Sequence, residues 1–247
     1  MEPREYDIIF HSEDLHWWYR GMAAITRDLI HRQFKPNGRV RILDAGCGTG
    51  GAMASFLADF GNVTGIDVSP RALFYCRKRS LRALSQASVI AIPFAAGSFD
   101  LVTSFDVLYE RSVDNDGQAF GEFFRVLSPG GCLLLRLPAY DWLRGQHDQV
   151  VHTGHRYTLG QVKHLLSVNG FKVRMASYAN MLLFIPAMVK RLGEQFLPPG
   201  IAHSDLEIKV GRLNNFLCSI LSSEARFISS PGLPFGLSVF AMGQKTS

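Results

Sequence analysis

The chain predicts an α/β fold, in which short parallel strands alternate with helices that cover both faces of one sheet. Short apolar stretches recur at Val40–Leu43, Val63–Asp67, Phe99–Phe105 and Cys132–Leu137, and helical periodicity separates them. Strands that are apolar throughout are typical of parallel sheets buried on both sides. With 247 residues and 47% apolar content, the chain can bury one substantial core, so we expect a single domain with insertions.

The first third of the chain supplies the opening elements of this pattern. Residues 5–34 have helical periodicity, and Pro36 ends that segment before the first strand. Helix Gly51–Asp59 follows the first strand. After the second strand, Ser69 and Pro70 begin a new helix, because serine is a favoured N-cap and proline suits the first helical turn.

The rest of the chain predicts further strands and a helical insertion. Val89–Ile92 predicts a short third strand, and helix Gln118–Leu127 precedes the fifth strand. Thr158 can cap the helix that follows. Strand Phe171–Ser177 has its best partner far away in sequence, at Leu237–Met242. The intervening stretch of about sixty mostly helical residues is too long for a simple loop, so we expect a cap over the binding edge of the sheet.

Residues 43–51 read LDAGCGTGG, a glycine-rich turn between the first strand and the next helix. Glycines let the backbone approach a ligand closely, and the helix N-terminus offers unpaired N–H groups. Gly46, Gly48 and Gly51 also match the dinucleotide pattern G-x-G-x-x-G, which does not identify a ligand by itself. Asp44 distinguishes a dinucleotide from other nucleotide-like ligands, because a carboxylate beside the turn would repel a pyrophosphate. It suits a ligand with an ammonium or sulfonium group, which favours S-adenosylmethionine over NAD.

Charge and cysteine usage narrow the class of protein. The net charge of +5 and pI of about 9.1 indicate a solvated basic surface or attraction to anionic lipid or an acidic substrate. The cysteines have no C-x-x-C or zinc-site spacing, so we expect reduced thiols in a cytoplasmic protein and no metal: Cys47, Cys76, Cys132 and Cys218. No signal-peptide pattern is visible, and the apolar run Met181–Val189 is too short to span a bilayer.

Four motifs in this order resemble the class I S-adenosylmethionine-dependent methyltransferases. They are residues 43–50, 65–69 (GIDVS), 92–100 (IPFAAGSFD) and 126–131 (VLSPGG), and the similarity covers about residues 40–177. The resemblance implies a Rossmann-like seven-stranded sheet with six parallel strands and one antiparallel strand. The last strand would be the reversed one, with the helical cap inserted before it.

Two further segments resemble a bacterial subgroup of type 11-like methyltransferases. They are residues 16–21 (HWWYRG) and 154–158 (GHRYT), and this finer resemblance names no substrate. We expect one methyltransferase domain over residues 1–247 with four parts. These are an N-terminal helical segment (1–38), a cofactor-binding core (39–177), a helical cap insertion (178–234), and a final strand and tail (235–247).

The resemblance also implies a set of cofactor-binding residues. Asp44 would hold the amino group of the methionine part, and Asp67 would accept hydrogen bonds from both ribose hydroxyls. Either carboxylate could instead cap a turn or helix. Ser88 stands where many relatives carry an aspartate for adenine, so an adenine contact and a structural role stay open. Apart from the resemblance, the consecutive aromatics at 17–19 point to different faces of a helix, so part of that surface would cover a ligand: Arg20 could bind the cofactor carboxylate, and Tyr19 could close the pocket. The predicted set is Tyr19, Arg20, Asp44, Ala45, Gly46, Cys47, Gly48, Asp67, Val68, Ser69, Ser88, Val89, Phe105, Asp106 and Val107.

Three residues are candidates for acting on the acceptor: Tyr109, His147 and His155. An imidazole with a pKa near neutral can deprotonate an acceptor hydroxyl or amine. Structural packing is the alternative for Tyr109, and a structural clasp to the sheet is the alternative for His155. His147, Asp148 and His152 could bind a metal, but their spacing on a loop is not that of a known site, so we predict none.

These observations predict transfer of a methyl group from S-adenosylmethionine to a small, partly apolar acceptor by direct in-line displacement, with the protein aligning the reactants and excluding water. We expect no nucleic-acid partner, because Tyr75 alone does not make the basic helix after the second strand a base-stacking surface. Met181–Leu197 could pack in the core, line an apolar acceptor pocket, form a homodimer face or contact a membrane surface. The other open functions are a non-catalytic methyltransferase-like binding protein, a membrane-associated partner and an NAD-binding oxidoreductase.

Overall fold

A seven-stranded sheet forms the centre of the fold. The computed structural model describes residues 2–36, 39–111, 113, 115–145, 148–149, 151–195 and 211–246. The strands in these ranges are β1 (Val40–Ala45), β2 (Gly61–Asp67), β3 (Leu84–Gln86), β4 (Phe99–Phe105), β5 (Leu127–Pro138), β6 (Phe171–Ala179) and β7 (Ser238–Lys245). Their spatial order is β3-β2-β1-β4-β5-β7-β6, and β7 runs antiparallel to both β5 and β6. The predicted α/β class and the reversed last strand are confirmed.

Helices lie on both faces of this sheet. Those in the described ranges are α1 (Pro3–Ser12), α2 (Trp17–Gln33), α3 (Gly51–Ser55), α4 (Pro70–Lys78), α5 (Asp116–Val126), α6 (Leu159–Val168), α7 (Phe184–Gln195), α8 (Leu213–Ser223) and α9 (Ala225–Ile228). The predicted N-terminal helical segment is two helices, because His16 begins a new helix by accepting the Trp18 N–H. No helix in the described part of the chain is long and apolar enough to cross a membrane.

The prediction that Val89–Ile92 forms the third strand is wrong. The third strand is β3, and Val89 and Ile90 form a turn after it. Just beyond that turn, the Ile92 N–H donates to Glu122 and the Ile92 carbonyl accepts from Arg125, both on α5. Side chains thus satisfy this backbone in place of a neighbouring strand. Burial of Val89 and Ile92 against the core explains the apolar pattern that suggested a strand.

The core lies between the sheet and its helices. Five of the six residues of Cys132–Leu137 in β5 are wholly buried apolar side chains. Phe120 and Phe123 of α5 are wholly buried as well. Arg136 is the exception within this run of β5, and its guanidinium lies near the carboxyl end of the sheet, where the functional site is found.

Segments from the two ends of the chain close this carboxyl edge. Helix α1 packs on α4, where Asp7 accepts hydrogen bonds from Arg71 and Tyr75. Helix α8 packs on α2, and the Asn214 side chain accepts the Trp17 N–H at 2.8 Å. Helices α7, α8 and α9 all fall between β6 and β7, within the region predicted as a cap.

Candidate functional site

A cavity of about 600 Å³ lies at the carboxyl ends of the parallel strands. This volume falls within the range of small-ligand sites in proteins. The wall combines the glycine turn after β1, the ends of β2, β4 and β5, the N-terminal helices and the cap helix α7. Open α/β sheets bind ligands at this edge, because the loops that leave the strands diverge there.

The glycine turn after β1 depends on backbone angles that favour glycine. Gly46, Gly48 and Gly50 have φ of +83°, +54° and +83°. A Cβ on Gly46 would collide with the Val107 side chain, so the turn packs directly on the loop after β4. A Cβ on Gly48 would meet nothing within 4 Å, and the backbone at Gly48 is therefore open to a ligand.

Asp44 is a buried carboxyl at the end of β1. It is 2% exposed, and the Thr103 hydroxyl donates to its Oδ1 at 2.8 Å. Burial raises the pKa of Asp44 to about 7, although the Thr103 hydrogen bond and the charge of Arg136 act in the opposite direction. A cation bound beside Asp44 would favour the ionised form of this carboxyl and be stabilised by it.

Asp67 ties the end of β2 to the glycine turn. Its Oδ2 accepts the Gly48 N–H at 2.9 Å, and its Oδ1 accepts the Ser69 N–H at 2.8 Å. Burial raises the pKa of Asp67, and these two hydrogen bonds oppose that change. The carboxyl lines the cavity as well, so the predicted ligand role and the alternative capping role are compatible at this position.

The N-terminal aromatic segment divides between the cavity and the surface. Tyr19 lines the cavity, and burial raises the pKa of its phenol. Arg20 is exposed, and it donates to Asn215 of α8 at 2.8 Å. Arg20 is not among the cavity-lining residues, so the structure does not bring this predicted residue to the site. Adjacent positions on a helix point in directions about 100° apart, which explains the difference.

Arg136 of β5 is a functional candidate that the sequence reasoning missed. It lines the cavity while only 9% exposed, its Nε donates to Asp106 Oδ2 at 2.7 Å, and its Nη2 lies 2.7 Å from the same oxygen as an ion pair. Its guanidinium lies 4.9 Å from the centre of the Trp18 ring and 5.2 Å from that of Phe105. Asp106 has a φ of +55°, an uncommon value for a non-glycine residue. The signal was available, because Arg136 is an isolated charge in an otherwise apolar strand.

Glu13 is a second residue that the sequence reasoning missed. The Thr49 hydroxyl donates to Glu13 at 2.5 Å, and Arg79 donates to the same oxygen at 2.8 Å. Burial raises the pKa of Glu13, and the contacts with Thr49 and Arg79 oppose the change. Glu13 thereby connects the N-terminal helices to the glycine turn. Nothing in the local sequence around Glu13 indicates this contact, which spans 36 positions from Thr49.

An ion-pair cluster lies on the cap side of the cavity. Arg156 donates from Nε and Nη2 to the two oxygens of Asp148 at 2.8 and 2.9 Å. Arg191 of α7 donates to Asp148 at 3.2 Å. Although burial opposes its ionisation, these arginines hold the pKa of Asp148 below its usual value. Asp148 is therefore ionised at neutral pH.

The predicted catalytic residues are not brought together. Tyr109 lines the cavity, but burial raises its pKa well above the usual value, so its phenol stays protonated at neutral pH. His155 lies in a separate hollow, where its Nε2 is 3.2 Å from Asp116. Asp116 also accepts from the buried Tyr157 hydroxyl, an arrangement that fits the structural alternative for His155. His147 lies outside the described residues.

Most of the other predicted cofactor residues line the cavity: Gly46, Cys47, Gly48, Val68, Ser88, Val89, Phe105, Asp106 and Val107. Ala45 is wholly buried and Ser69 caps α4, and neither is part of the cavity wall. Within the described ranges, no group of three or more His, Cys, Asp or Glu side chains could hold a metal ion.

Helix α7 has both a cavity side and an exposed side. Pro186, Ala187 and Arg191 line the cavity, whereas Ile185 and Val189 are more than 60% exposed. Residues 196 and 197 of the segment predicted for membrane or homodimer contact lie outside the described residues. Contact of this segment with a membrane or with a second copy of the chain stays a prediction.

Comparison with known sequences gives one family match and several relatives. Residues 43–135 match the family model described as a methyltransferase domain. A malonyl-[acyl-carrier protein] O-methyltransferase of Enterobacter lignolyticus is 38% identical over 125 residues, which cover 50% of this chain and 47% of that protein. A demethylmenaquinone methyltransferase of Chlorobaculum parvum is 33% identical over 139 residues, 54% of this chain and 55% of that protein. The chain thus spans about half the length of these curated relatives.

Solved structures share the fold over most of the chain. A SAM-dependent methyltransferase of Thermotoga maritima has a TM-score of 0.59 at 17% identity, covering 98% of this chain and 95% of that one. A geranyl diphosphate C-methyltransferase of Streptomyces coelicolor, in complex with Mg²⁺, geranyl diphosphate and S-adenosyl-L-homocysteine, has a TM-score of 0.59 at 13% identity. Its match covers 90% of this chain and 78% of that one. At these identities the likeness concerns the fold alone.

Proposed function

We propose that this chain is a class I S-adenosylmethionine-dependent methyltransferase, which transfers a methyl group from this cofactor to a small acceptor bound in the same cavity. The observation that carries the proposal is the buried Asp44 carboxyl beside the open Gly48 backbone. A buried carboxyl at the carboxyl end of a parallel strand favours a cationic ligand over a pyrophosphate, and the cofactor has both an ammonium and a sulfonium group.

The charged groups around Asp44 fit the amino-acid part of this cofactor. The ammonium would bind Asp44, whose pKa of about 7 would fall when a cation lies beside it. We assign the cofactor carboxylate to Arg136, which lines the same cavity and acts on Asp44 through its charge. Arg136 thus takes the role that the sequence suggested for Arg20.

The end of β2 and the segment after β3 fit the nucleoside part. Each Asp67 oxygen accepts one backbone hydrogen bond and retains a lone pair for a ribose hydroxyl. Val68 and Val89 line the cavity and would contact the adenine. The Ser88 hydroxyl, which accepts the Ile90 N–H at 3.4 Å, would also be available to the adenine amino group.

In the proposed reaction the cofactor supplies the reactive group, and the chain positions the acceptor. When bound, S-adenosylmethionine supplies an activated methyl group on its sulfonium. The chain aligns the acceptor with that group and excludes water, and both effects lower the barrier to transfer. Tyr109 stays protonated and His155 lies outside the cavity, so neither would act as a base. An acceptor whose nucleophilic atom is already anionic, or a neutral amine, requires none.

Calorimetric binding tests this function on the wild type and on two aspartate variants. We expect S-adenosylmethionine and S-adenosylhomocysteine to bind with micromolar affinity and NAD not to bind. Asp67→Ala should abolish adenosyl binding. Asp59→Ala should keep it, because Asp59 is exposed and pairs with Arg27 on the surface.

Three other outcomes would contradict the proposal. A folded wild type that binds no adenosyl ligand is not a working methyltransferase. Binding of NAD in place of the adenosyl ligands would favour the oxidoreductase. Adenosyl binding without turnover across a broad acceptor panel would favour the non-catalytic binding protein.

A further inference from the structure

The hydroxyl of Tyr109 is a buried polar group in the cavity wall that the protein leaves unpaired. Tyr109 is 7% exposed, and its hydroxyl has no hydrogen bond to a residue in the described part of the chain. Three buried tyrosines outside the wall all use their hydroxyls in hydrogen bonds: Tyr75, Tyr157 and Tyr178. Native proteins rarely leave such a group unpaired, so the Tyr109 hydroxyl indicates a polar atom of a ligand at this point.

The Tyr109 hydroxyl lies on the cavity side of its ring. Burial raises the pKa of Tyr109 well above the usual value, and the charges of Asp106, Glu110 and Asp148 act in the same direction. All three carboxylates line the cavity, so the hydroxyl that they act on is directed toward it. The unpaired side-chain atoms that are fully enclosed in the described ranges belong to three other residues: Arg79, Ser104 and Asn180. The Tyr109 hydroxyl thus remains accessible to a bound molecule.

Tyr109 lies between the proposed cofactor residues and the cap side of the cavity. Val107, two residues earlier, packs on the glycine turn at Gly46. The Gly154 N–H donates to the Tyr109 carbonyl at 2.7 Å, so the loop after β5 holds this backbone from the other side. A group bound to the Tyr109 hydroxyl would therefore lie next to the cofactor, where the methyl group is transferred.

The carboxylates near this hydroxyl have partners of their own. Asp106 accepts from Arg136 Nε at 2.7 Å, and Asp148 accepts from two nitrogens of Arg156 at 2.8 and 2.9 Å. Glu110 has a partner as well. Because an opposite charge lies beside Asp106 and beside Asp148, these two repel an anion in the cavity less than isolated carboxylates would.

A phenol that keeps its proton distinguishes between kinds of nucleophile. Its O–H donates a hydrogen bond, so it needs a lone pair on the ligand. A neutral amine has one lone pair, and a hydrogen bond to it would occupy the electrons that attack the methyl group. An anionic oxygen has further lone pairs, so it can accept from Tyr109 and still attack. Hydrogen bonds to ionised acceptors are also roughly twice as strong as those between neutral groups.

We infer that the nucleophile of the methyl acceptor is an anionic oxygen, of a phenolate or a carboxylate, and that the Tyr109 hydroxyl donates a hydrogen bond to it. A lone pair of this oxygen forms the new O–C bond, and the electron pair of the broken S–C bond stays on sulfur. Tyr109 keeps its proton throughout. The rest of the acceptor would contact the cap side of the wall, which includes Leu183, Pro186, Ala187, Leu217, Leu237 and the buried Asn180. This inference rests on the proposed function, because it identifies the acceptor class for the same cavity.

Calorimetry at pH 8 on the protein saturated with S-adenosylhomocysteine tests the inference with three probes that share one aromatic ring. These are 4-nitrophenolate, benzoate and nitrobenzene, which has no anionic oxygen. We expect at least one of the two anions to bind about tenfold or more tightly than nitrobenzene. The preferred anion would distinguish a phenolate acceptor from a carboxylate acceptor.

Two tyrosine variants connect this selectivity to the Tyr109 hydroxyl. Tyr109→Phe should weaken binding of the preferred anion about tenfold and change binding of nitrobenzene and S-adenosylhomocysteine little. Because the hydroxyl has no partner in the described part of the chain, this variant without ligands should resist urea as well as the wild type does. The matched control, Tyr178→Phe, removes a buried hydroxyl outside the cavity wall that accepts the Leu159 N–H at 3.1 Å. It should unfold at a lower urea concentration and bind the anions as the wild type does.

The inference is overturned if nitrobenzene binds as tightly as both anions, if neither anion binds, or if Tyr109→Phe binds the preferred anion unchanged. It is also overturned if Tyr109→Phe loses stability and weakens all three probes alike, since the hydroxyl would then be structural. Titration of S-adenosylhomocysteine in the same samples separates this failure from that of the proposed function. Adenosyl binding without anion selectivity would contradict the inference alone, whereas a folded protein that binds no adenosyl ligand would contradict the proposed function.

Discussion

The Thr103 hydroxyl donates a 2.8 Å hydrogen bond to Asp44 across the β1–β4 pair, in which these two residues stand directly opposite each other. Thr103 is wholly buried and Asp44 is 2% exposed. The sheet therefore fixes the orientation of the carboxyl before any ligand binds. Preorganisation of this kind lowers the free energy that binding would otherwise spend on ordering the side chain.

The first prediction concerns stability against pH. The pKa of Asp44 is about 7 in the folded protein against an ordinary value of 3.8, so the folded state binds this proton more tightly than the unfolded state. Stability should fall as the pH rises from about 4 to about 7, by at most about 4 kcal/mol from this group. Asp44→Asn should be more stable than the wild type at pH 8, with a smaller difference at pH 5.

Urea unfolding at both pH values measures the free energies of unfolding, and Asp59→Asn is the control. Equal pH dependence in Asp44→Asn and the wild type would contradict the prediction.

The second prediction concerns the pH dependence of cofactor binding. Below about pH 7, Asp44 must lose a proton to bind the cofactor ammonium, so the affinity should fall up to about tenfold per pH unit. An α-ammonium loses its own proton at about pH 7.7–8.0, which lowers the affinity on the alkaline side. We expect the tightest binding at about pH 7.5, as measured by calorimetry between pH 5.5 and 9. A profile that is flat below pH 7 would exclude Asp44 as the ammonium partner.

The fold could be predicted because its signals are local. The bounds of Phe99–Phe105 agree with β4, since a continuous apolar run of seven residues fits a strand buried on both faces. Val89–Ile92 could not be assigned by the same rule, because a loop buried under α5 gives the same apolar pattern as a short strand. Periodicity reports burial, and it does not distinguish a short buried loop from a short buried strand.

For the candidate site as well, the residues that could be predicted are those with a local sequence signal. Asp44, Asp67 and the glycine turn could be predicted because they lie at the ends of their strands or directly after them, and the carboxyl ends of neighbouring parallel strands meet at one edge. Glu13 and Asn180 reach the cavity through the packing of the N-terminal helices and of β6, which no local pattern reports. Arg20 was predicted at the cofactor as part of the aromatic segment 17–20, but consecutive helical residues point in different directions, and Arg20 donates to Asn215 instead.

The third prediction concerns the close packing of the glycine turn. Gly46→Ala would force a side chain into a φ of +83° and into collision with Val107. We expect it to destabilise the fold by roughly 3 kcal/mol and to abolish adenosyl binding. Gly97→Ala is a matched control, since Gly97 has a φ of +71° but no atom within 4 Å of an added Cβ. It should show the backbone strain alone, roughly 1 kcal/mol in urea unfolding. Equal effects of the two variants would contradict the packing argument.

The fourth prediction concerns His155 as a structural residue. Its hydrogen bond to Asp116 raises the pKa of the imidazole above the usual 6.5. The stabilisation is therefore fully present below about pH 6.5 and is lost as the pH rises through the folded-state value. Because the side chain is 39% exposed, we expect the pair of His155 and Asp116 to add about 0.5 kcal/mol to the free energy of unfolding at pH 6. His155→Gln should be less stable than the wild type by this amount at pH 6 and nearly equal at pH 9. His164→Gln, on an exposed position of α6, is the control. A difference that grows with pH would contradict the assignment.

The fifth prediction compares the two arginines that could bind the cofactor carboxylate. Arg136 is buried in the cavity wall between Trp18 and Phe105, whereas Arg20 is exposed and donates to Asn215. Arg136→Gln should weaken S-adenosylmethionine binding about tenfold or more, because a charge-assisted contact in a low-dielectric site is lost. Arg20→Gln should bind as the wild type does. Calorimetry with S-adenosylmethionine measures both, and adenosine serves as a ligand without the carboxylate. If Arg136→Gln weakens adenosine binding as much as S-adenosylmethionine binding, the effect of the substitution is structural. If only Arg20→Gln weakens S-adenosylmethionine binding, the cofactor carboxylate binds Arg20 on α2 and the prediction is wrong.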